Sequence, residues 1–90
     1  MCTYLTEKIE IEGSGKGPGE WFGLSHATVY VDHAVHAAYT HTLNIDFLNP
    51  AMGPSARVAV ELTEEAAMAL AAAITTALAA APAGLASANQ

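Results

Sequence analysis

Four segments of this 90-residue chain alternate between apolar and polar residues with a period of two. They cover residues 3–11, 25–32, 41–48 and 57–62. Side chains point alternately to the two faces of a β-strand, so each segment predicts a strand with one apolar and one polar face. The eight-residue connection between the second and third segments predicts an antiparallel hairpin. Four such strands favour a single sheet that buries its apolar face and leaves the other face wet.

A helix is predicted directly after the fourth segment. The Thr63 hydroxyl can cap its first turn, and Glu64 and Glu65 complement the positive end of the helix dipole. Apolar residues then recur at spacings of three and four, and Pro82 and Gly84 end the pattern. We therefore expect an α+β fold, a four-stranded antiparallel sheet with one C-terminal helix packed on its apolar face. Residues 1–82 form the expected single domain, and residues 83–90 are expected to form a flexible tail.

The glycine-rich segment 13–19 contains four glycines in seven residues. Such a composition is typical of a mobile connection rather than a strand. We expect it to separate the first strand from the second.

Charge and composition exclude several classes of function. Three basic residues against nine acidic ones give a formal charge of −6, the wrong sign for binding nucleic acid or an anionic membrane surface. The uncharged stretch 66–81 is shorter than the roughly 20 apolar residues that span a bilayer. The acidic N-terminal segment is unlike an export signal, so we expect a cytoplasmic protein. The single cysteine, Cys2, excludes an internal disulfide framework and is either a small buried residue or a reactive thiol.

All four histidines fall within sixteen residues. His33 and His36 lie three residues apart in the hairpin connection, and His41 opens the returning strand nearly opposite Asp32 and His33. Imidazole is a common ligand of zinc, copper, nickel and iron, so these three predict a transition-metal site, with Asp32 as a fourth ligand or as an orienting group. Structural or interface histidines and a general acid or base are the alternatives. His26 lies further along the strand and fits the metal site less well.

The polar face of the sheet is the second candidate site. On it, Asp46, Glu61 or His26 could act as acid or base, which would suit a small-molecule-binding or cyclase-like module. The residues expected to orient the ligand are Tyr30, Asn44 and Arg57. The alternative is an ordinary solvated face, which has to be polar in any case. The pattern favours no particular reaction or substrate.

The predicted helix carries no charge from residue 66 to residue 81. Its outward face is consequently small and apolar, whereas a solvated helix usually carries lysine and glutamate there. The residues of that face are Ala69, Ala72, Thr76 and Ala79. We expect a homodimer, and a non-enzymatic oligomeric accessory protein is a third possible function.

Three stretches resemble a family of short actinobacterial proteins that is classed as a domain of unknown function. They are Met1-Cys2-Thr3-Tyr4, the block from His41 to Pro50 and the block from Arg57 to Leu62. The resemblance covers nearly the whole chain up to the helix. It implies no catalytic residues that can be carried over to this sequence.

Overall fold

The protein folds into one antiparallel sheet followed by a helix. The computed structural model describes residues 5–33, 40–82 and 84. The elements are β1 (Thr6–Lys16), β2 (Trp21–His33), β3 (His41–Leu48), β4 (Arg57–Leu62) and α1 (Glu64–Ala80), with a short 3₁₀ turn at Pro50–Met52. The strands pair in chain order, so β1 and β4 are the edges of the sheet. The expected α+β architecture is therefore confirmed.

The register of the sheet separates an apolar face from a polar face. Val29 pairs with Ile45, and Ile45 pairs with Val60, which makes an apolar row across three strands. One residue along, Tyr30 pairs with Asn44 on the opposite face. Because successive side chains alternate between faces, β2, β3 and β4 present most of their apolar residues on the same side.

The glycine-rich segment is partly strand, which corrects the expectation of a mobile connection. β1 continues to Lys16, and Gly13 and Gly15 pair with residues of β2 after a shift of register, a β-bulge, that follows Glu10. The absence of a side chain at Gly15 gives Leu24 its space, since a Cβ atom built there would lie 3.2 Å from Leu24 Cδ1. The glycines thus fit a close approach within the hairpin.

The helix begins where the capping pattern predicts. Thr63 Oγ1 accepts a hydrogen bond of 3.1 Å from the backbone nitrogen of Ala66, and Glu64 and Glu65 occupy the first turn. This bond satisfies one of the backbone N–H groups that the first turn leaves without a helical partner. In the described part of the chain, no helix has the length and apolarity needed to cross a membrane.

The helix lies beside β3 and β4 over the apolar face but does not close onto it. No residue of α1 is buried, and its large apolar side chains Leu70, Ile74 and Leu78 remain 44%, 53% and 58% exposed. An apolar groove of about 370 Å³, here called the helix groove, runs between α1 and the sheet. Its sheet wall consists of Val29, Leu43, Ile45 and Leu62, and its helix wall of Ala67, Met68, Leu70, Ala71 and Ile74. The expected packing is thus only partial, because nine of the 17 helix residues are alanines, too short to fill the space.

Candidate functional site

A pair of histidines lies at the end of the β2–β3 hairpin where the two strands are connected. His33 and His41 are direct partners in the register of the two strands, as their positions in the sequence suggest. Their ring centroids are 4.6 Å apart, and the rings stack with an angle of 28° between their planes. Two nitrogens at 2.0–2.1 Å from one tetrahedral ion lie about 3.4 Å apart. The two rings are close enough to share an ion once they rotate out of the stack, because the lone pairs of stacked rings lie in nearly parallel planes and do not converge. We call these two residues the histidine pair.

The hydrogen bonds of His33 define which ring nitrogen can bind a cation. Its Nδ1 lies 3.3 Å from the carbonyl oxygen of Thr40. A carbonyl only accepts hydrogen bonds, so Nδ1 is the protonated nitrogen, and the neutral ring keeps its lone pair on Nε2. Metal-ligating histidines characteristically donate their other ring N–H in this way.

Asp32 supports the backbone of the same histidine. Its Oδ1 accepts a hydrogen bond of 2.7 Å from the backbone N–H of His33. Asp32 pairs with Thr42, the pair next to His33 and His41, so the side chains of these two pairs point to opposite faces of the sheet. Of the two roles expected for Asp32, orientation of His33 fits this contact better than direct ligation.

An acidic cleft lies next to the histidine pair. His41, Thr63, Glu64 and Glu65 line an open space of about 510 Å³ where β3 meets the start of α1. The carboxylates are placed there because the first turn of the helix favours acidic residues. The negative potential of these carboxylates favours a cation at His41 over an anion.

A complete metal centre is not formed by the described residues alone. Among them, no group of three histidine, cysteine, aspartate or glutamate side chains is arranged to hold a metal ion. His36, the third predicted ligand, and Cys2 lie outside the described residues. The structure therefore brings together two of the predicted histidine ligands, and the site as a whole remains a prediction.

On the polar face, a carboxylate of β3 joins two of the predicted ligand-binding residues. Asp46 Oδ2 accepts a hydrogen bond of 3.1 Å from the Tyr30 hydroxyl, and Asp46 Oδ1 accepts one of 2.8 Å from Arg57 Nη2. Burial raises the pKa of the Tyr30 hydroxyl above its usual 10.0, and the hydrogen bond to Asp46 and the charge of that carboxylate raise it further. Tyr30 is consequently a neutral donor at physiological pH.

The polar face is not uniformly solvated. Thr42 and Asn44 lie on it, yet they are only 2% and 7% exposed. The Thr42 hydroxyl donates a hydrogen bond of 2.6 Å to Asn44 Oδ1, which satisfies both groups away from water. The simple interpretation of this face as a wet surface is therefore wrong at the centre of β3.

The remaining predicted residues of the polar face lie in neighbouring rows. Glu61 pairs with Asn44 across β3 and β4. His26 pairs with Leu48, and its Nδ1 shares a hydrogen bond of 2.7 Å with the Ser25 hydroxyl. Asp46 already binds Arg57, so the use of Arg57 to orient a ligand carboxylate requires that ion pair to open. Acid–base roles for Asp46, Glu61 and His26 stay predictions.

Two features of these sites had no clear signal in the sequence. The carbonyl of Thr40 orients the His33 ring. Every residue has a backbone carbonyl, so the pattern of residue types cannot predict which one makes this contact. Thr42 follows the polar alternation of its strand, which gives no indication that it is buried. The predicted hairpin, in contrast, places His41 nearly opposite His33 from the sequence alone.

The chain belongs to the family of unknown function DUF6295, which matches residues 1–87. This confirms the resemblance to a domain family that the three stretches indicated. No curated protein and no solved structure gives a significant match.

Proposed function

We propose that this protein binds a transition-metal ion through His33 and His41. The observation that supports the proposal best is the hydrogen bond from His33 Nδ1 to the Thr40 carbonyl, because metal-ligating histidines characteristically donate their other ring N–H in this way, and the His33 ring lies against that of His41. Imidazole ligands suit zinc, copper, nickel and iron. In this proposal His36 supplies a third imidazole and Asp32 orients His33.

Metal binding by the untagged protein tests the proposal. Protein stripped with a chelator is titrated with Co²⁺, whose absorption reports the coordination shell, and the bound Zn²⁺, Cu²⁺, Ni²⁺ and iron are quantified by elemental analysis. We expect one ion per chain. His33→Ala and His41→Ala should each weaken binding by more than about 100-fold, beyond the usual effect of removing a supporting group.

His26 provides the matched control. It lies on the polar face and bonds with Ser25, so His26→Ala removes one imidazole from the same strand without touching the histidine pair. We expect its affinity to equal that of the wild type. Binding well below one ion per chain, or an equal loss in all three variants, would refute the proposed site. His36→Ala then decides whether the third ligand comes from the connection.

A further inference from the structure

The helix groove is an apolar surface for which the chain itself offers a complement. Its walls are apolar side chains of the sheet and of α1. The ridge of α1 that borders it repeats every fourth residue, with Leu70, Ile74 and Leu78 at least 44% exposed. Exposed apolar surface of this kind on a small protein marks an interaction site.

We propose that the helix groove is the interface of a two-fold homodimer in which each chain inserts Leu70, Ile74 and Leu78 of α1 against the groove of the other. A two-fold interface uses the same surface on both copies, so it has to be complementary to itself. A groove and an adjoining ridge on one helix meet that condition.

The charge distribution directs association to this surface. The chain carries a net charge of −6, which opposes contact between copies over most of the molecule. Residues 66–81, which contain almost all of α1 and the whole ridge, carry no charge. Two copies therefore meet with the least electrostatic repulsion along the helices.

One chain exposes more surface than a compact monomer of its mass. The chain exposes 6656 Å², whereas a compact monomer of its mass, 9.3 kDa, exposes about 5,000 Å². A stable interface buries about 800 Å² from each partner, roughly half of that excess. Among the described residues, the buried apolar ones are only Ala27 and Ala56, so the dimer would also supply the large buried side chains that one chain lacks.

Light scattering after size-exclusion chromatography at tens of micromolar tests the interface. We expect the wild type to elute with twice the 9.3 kDa of one chain. Ile74→Glu and Leu78→Glu place a charge on the ridge, and each should give a monomer. Both side chains are more than half exposed in one chain, so the variants should retain the helix in their circular dichroism spectra. If one of the two variants unfolds, the oligomeric state of the other variant tests the interface.

Thr76→Glu is the matched control, since residue 76 lies on the side of α1 turned away from Ile74 and receives the same charge. We expect it to remain dimeric. A dimer that Thr76→Glu dissociates while Ile74→Glu does not would assign the interface to the small outward face of the helix and overturn the proposal. A monomeric wild type would overturn the proposal too. This holds even if the monomer binds a dye such as anilinonaphthalene sulfonate, which would show only that the groove is apolar and accessible.

Discussion

Asp46 organises the polar face around β3. Its two oxygens accept hydrogen bonds from Tyr30 on β2 and Arg57 on β4, so one carboxylate links three strands. Arg57 is half exposed, and ion pairs in water contribute about 1 kcal/mol or less to the free energy of unfolding. The contact with Tyr30 is better shielded from water, and it raises the pKa of the Tyr30 hydroxyl.

The first prediction concerns this pKa. In the wild type, Tyr30 should ionise above the usual 10.0, because burial and the Asp46 carboxylate both disfavour a phenolate. Asp46→Asn removes the charge and should lower the pKa of Tyr30 towards its ordinary value, because burial then still raises the pKa while the Asn44 hydrogen bond and the Arg57 charge lower it. Absorbance at 295 nm during an alkaline titration measures both. An unchanged or higher pKa in the variant would contradict the assigned cause.

Tyr30→Phe identifies which ionisation step belongs to Tyr30, since the chain has three tyrosines. The same shift sets a pH dependence of stability. When the pKa of a group is higher in the folded state than in the unfolded state, its contribution to stability is fully present below the unfolded value of about 10. That contribution is lost as the pH rises through the raised pKa. The free energy of unfolding should consequently fall more steeply above pH 10 in the wild type than in Tyr30→Phe.

At this scale the sequence predicted which face each residue occupies, but not how deeply it is buried. The alternation assigned Thr42 and Asn44 to the polar face correctly. The predicted hairpin placed His41 nearly opposite Asp32 and His33, and the structure pairs it with His33. Burial depends on which other segments cover a position, and a period of two contains no information about that. The closed hydrogen bond between Thr42 and Asn44 became visible only in three dimensions.

Two glycines in the β1–β2 hairpin have different surroundings. Leu24 of β2 lies over Gly15, whereas a Cβ atom at Gly13 would meet nothing within 4 Å. Neither residue has a positive φ, so neither backbone conformation itself requires glycine. The two positions therefore differ in the space around them.

The second prediction uses that difference. Gly15→Val should lower the free energy of unfolding by about 1 kcal/mol or more, because the added side chain has to displace Leu24. Gly13→Val, the control, adds the same atoms in open space and should leave stability unchanged or slightly higher, since it restricts the unfolded chain. Urea unfolding followed by circular dichroism measures both. Equal losses would show that the Leu24 contact has no specific role.

Element boundaries were predictable where local chemistry determines them. β3, β4 and the start of α1 lie where the alternation and the Thr63 cap placed them. The end of β1 was predicted wrongly because its glycine-rich composition suggests a loop. The composition of one segment does not show that a neighbouring strand, here β2, pairs with it. A strand rich in glycine is stabilised by its neighbour rather than by its own propensity.

Among the described residues, several large apolar side chains are left exposed by the sheet and the helix. Since association would bury that surface, folding and dimerisation should be coupled. The third prediction is that the melting temperature of the wild type rises with protein concentration, whereas that of Ile74→Glu does not. Scanning calorimetry over a hundredfold range of concentration measures this. A wild-type melting temperature independent of concentration would contradict the coupling.

The helix groove could not be predicted from the sequence. The spacing of Leu70, Ile74 and Leu78 indicated one apolar stripe, and the natural inference was that the sheet covers it. The short alanines between these residues leave the stripe only partly in contact, an effect of volume rather than of pattern. Helix–sheet distance is set by side-chain size on both surfaces, which hydropathy does not encode.

The exposed edge strand β1 has a further consequence for how copies of this chain can assemble. Five of its eleven residues are charged, three glutamates and two lysines. Unpaired backbone groups at a sheet edge are templates for fibril growth, and a high density of charge along the edge obstructs the addition of another strand. With the route through β1 obstructed, association through the proposed helix interface would close after two copies instead of propagating into filaments.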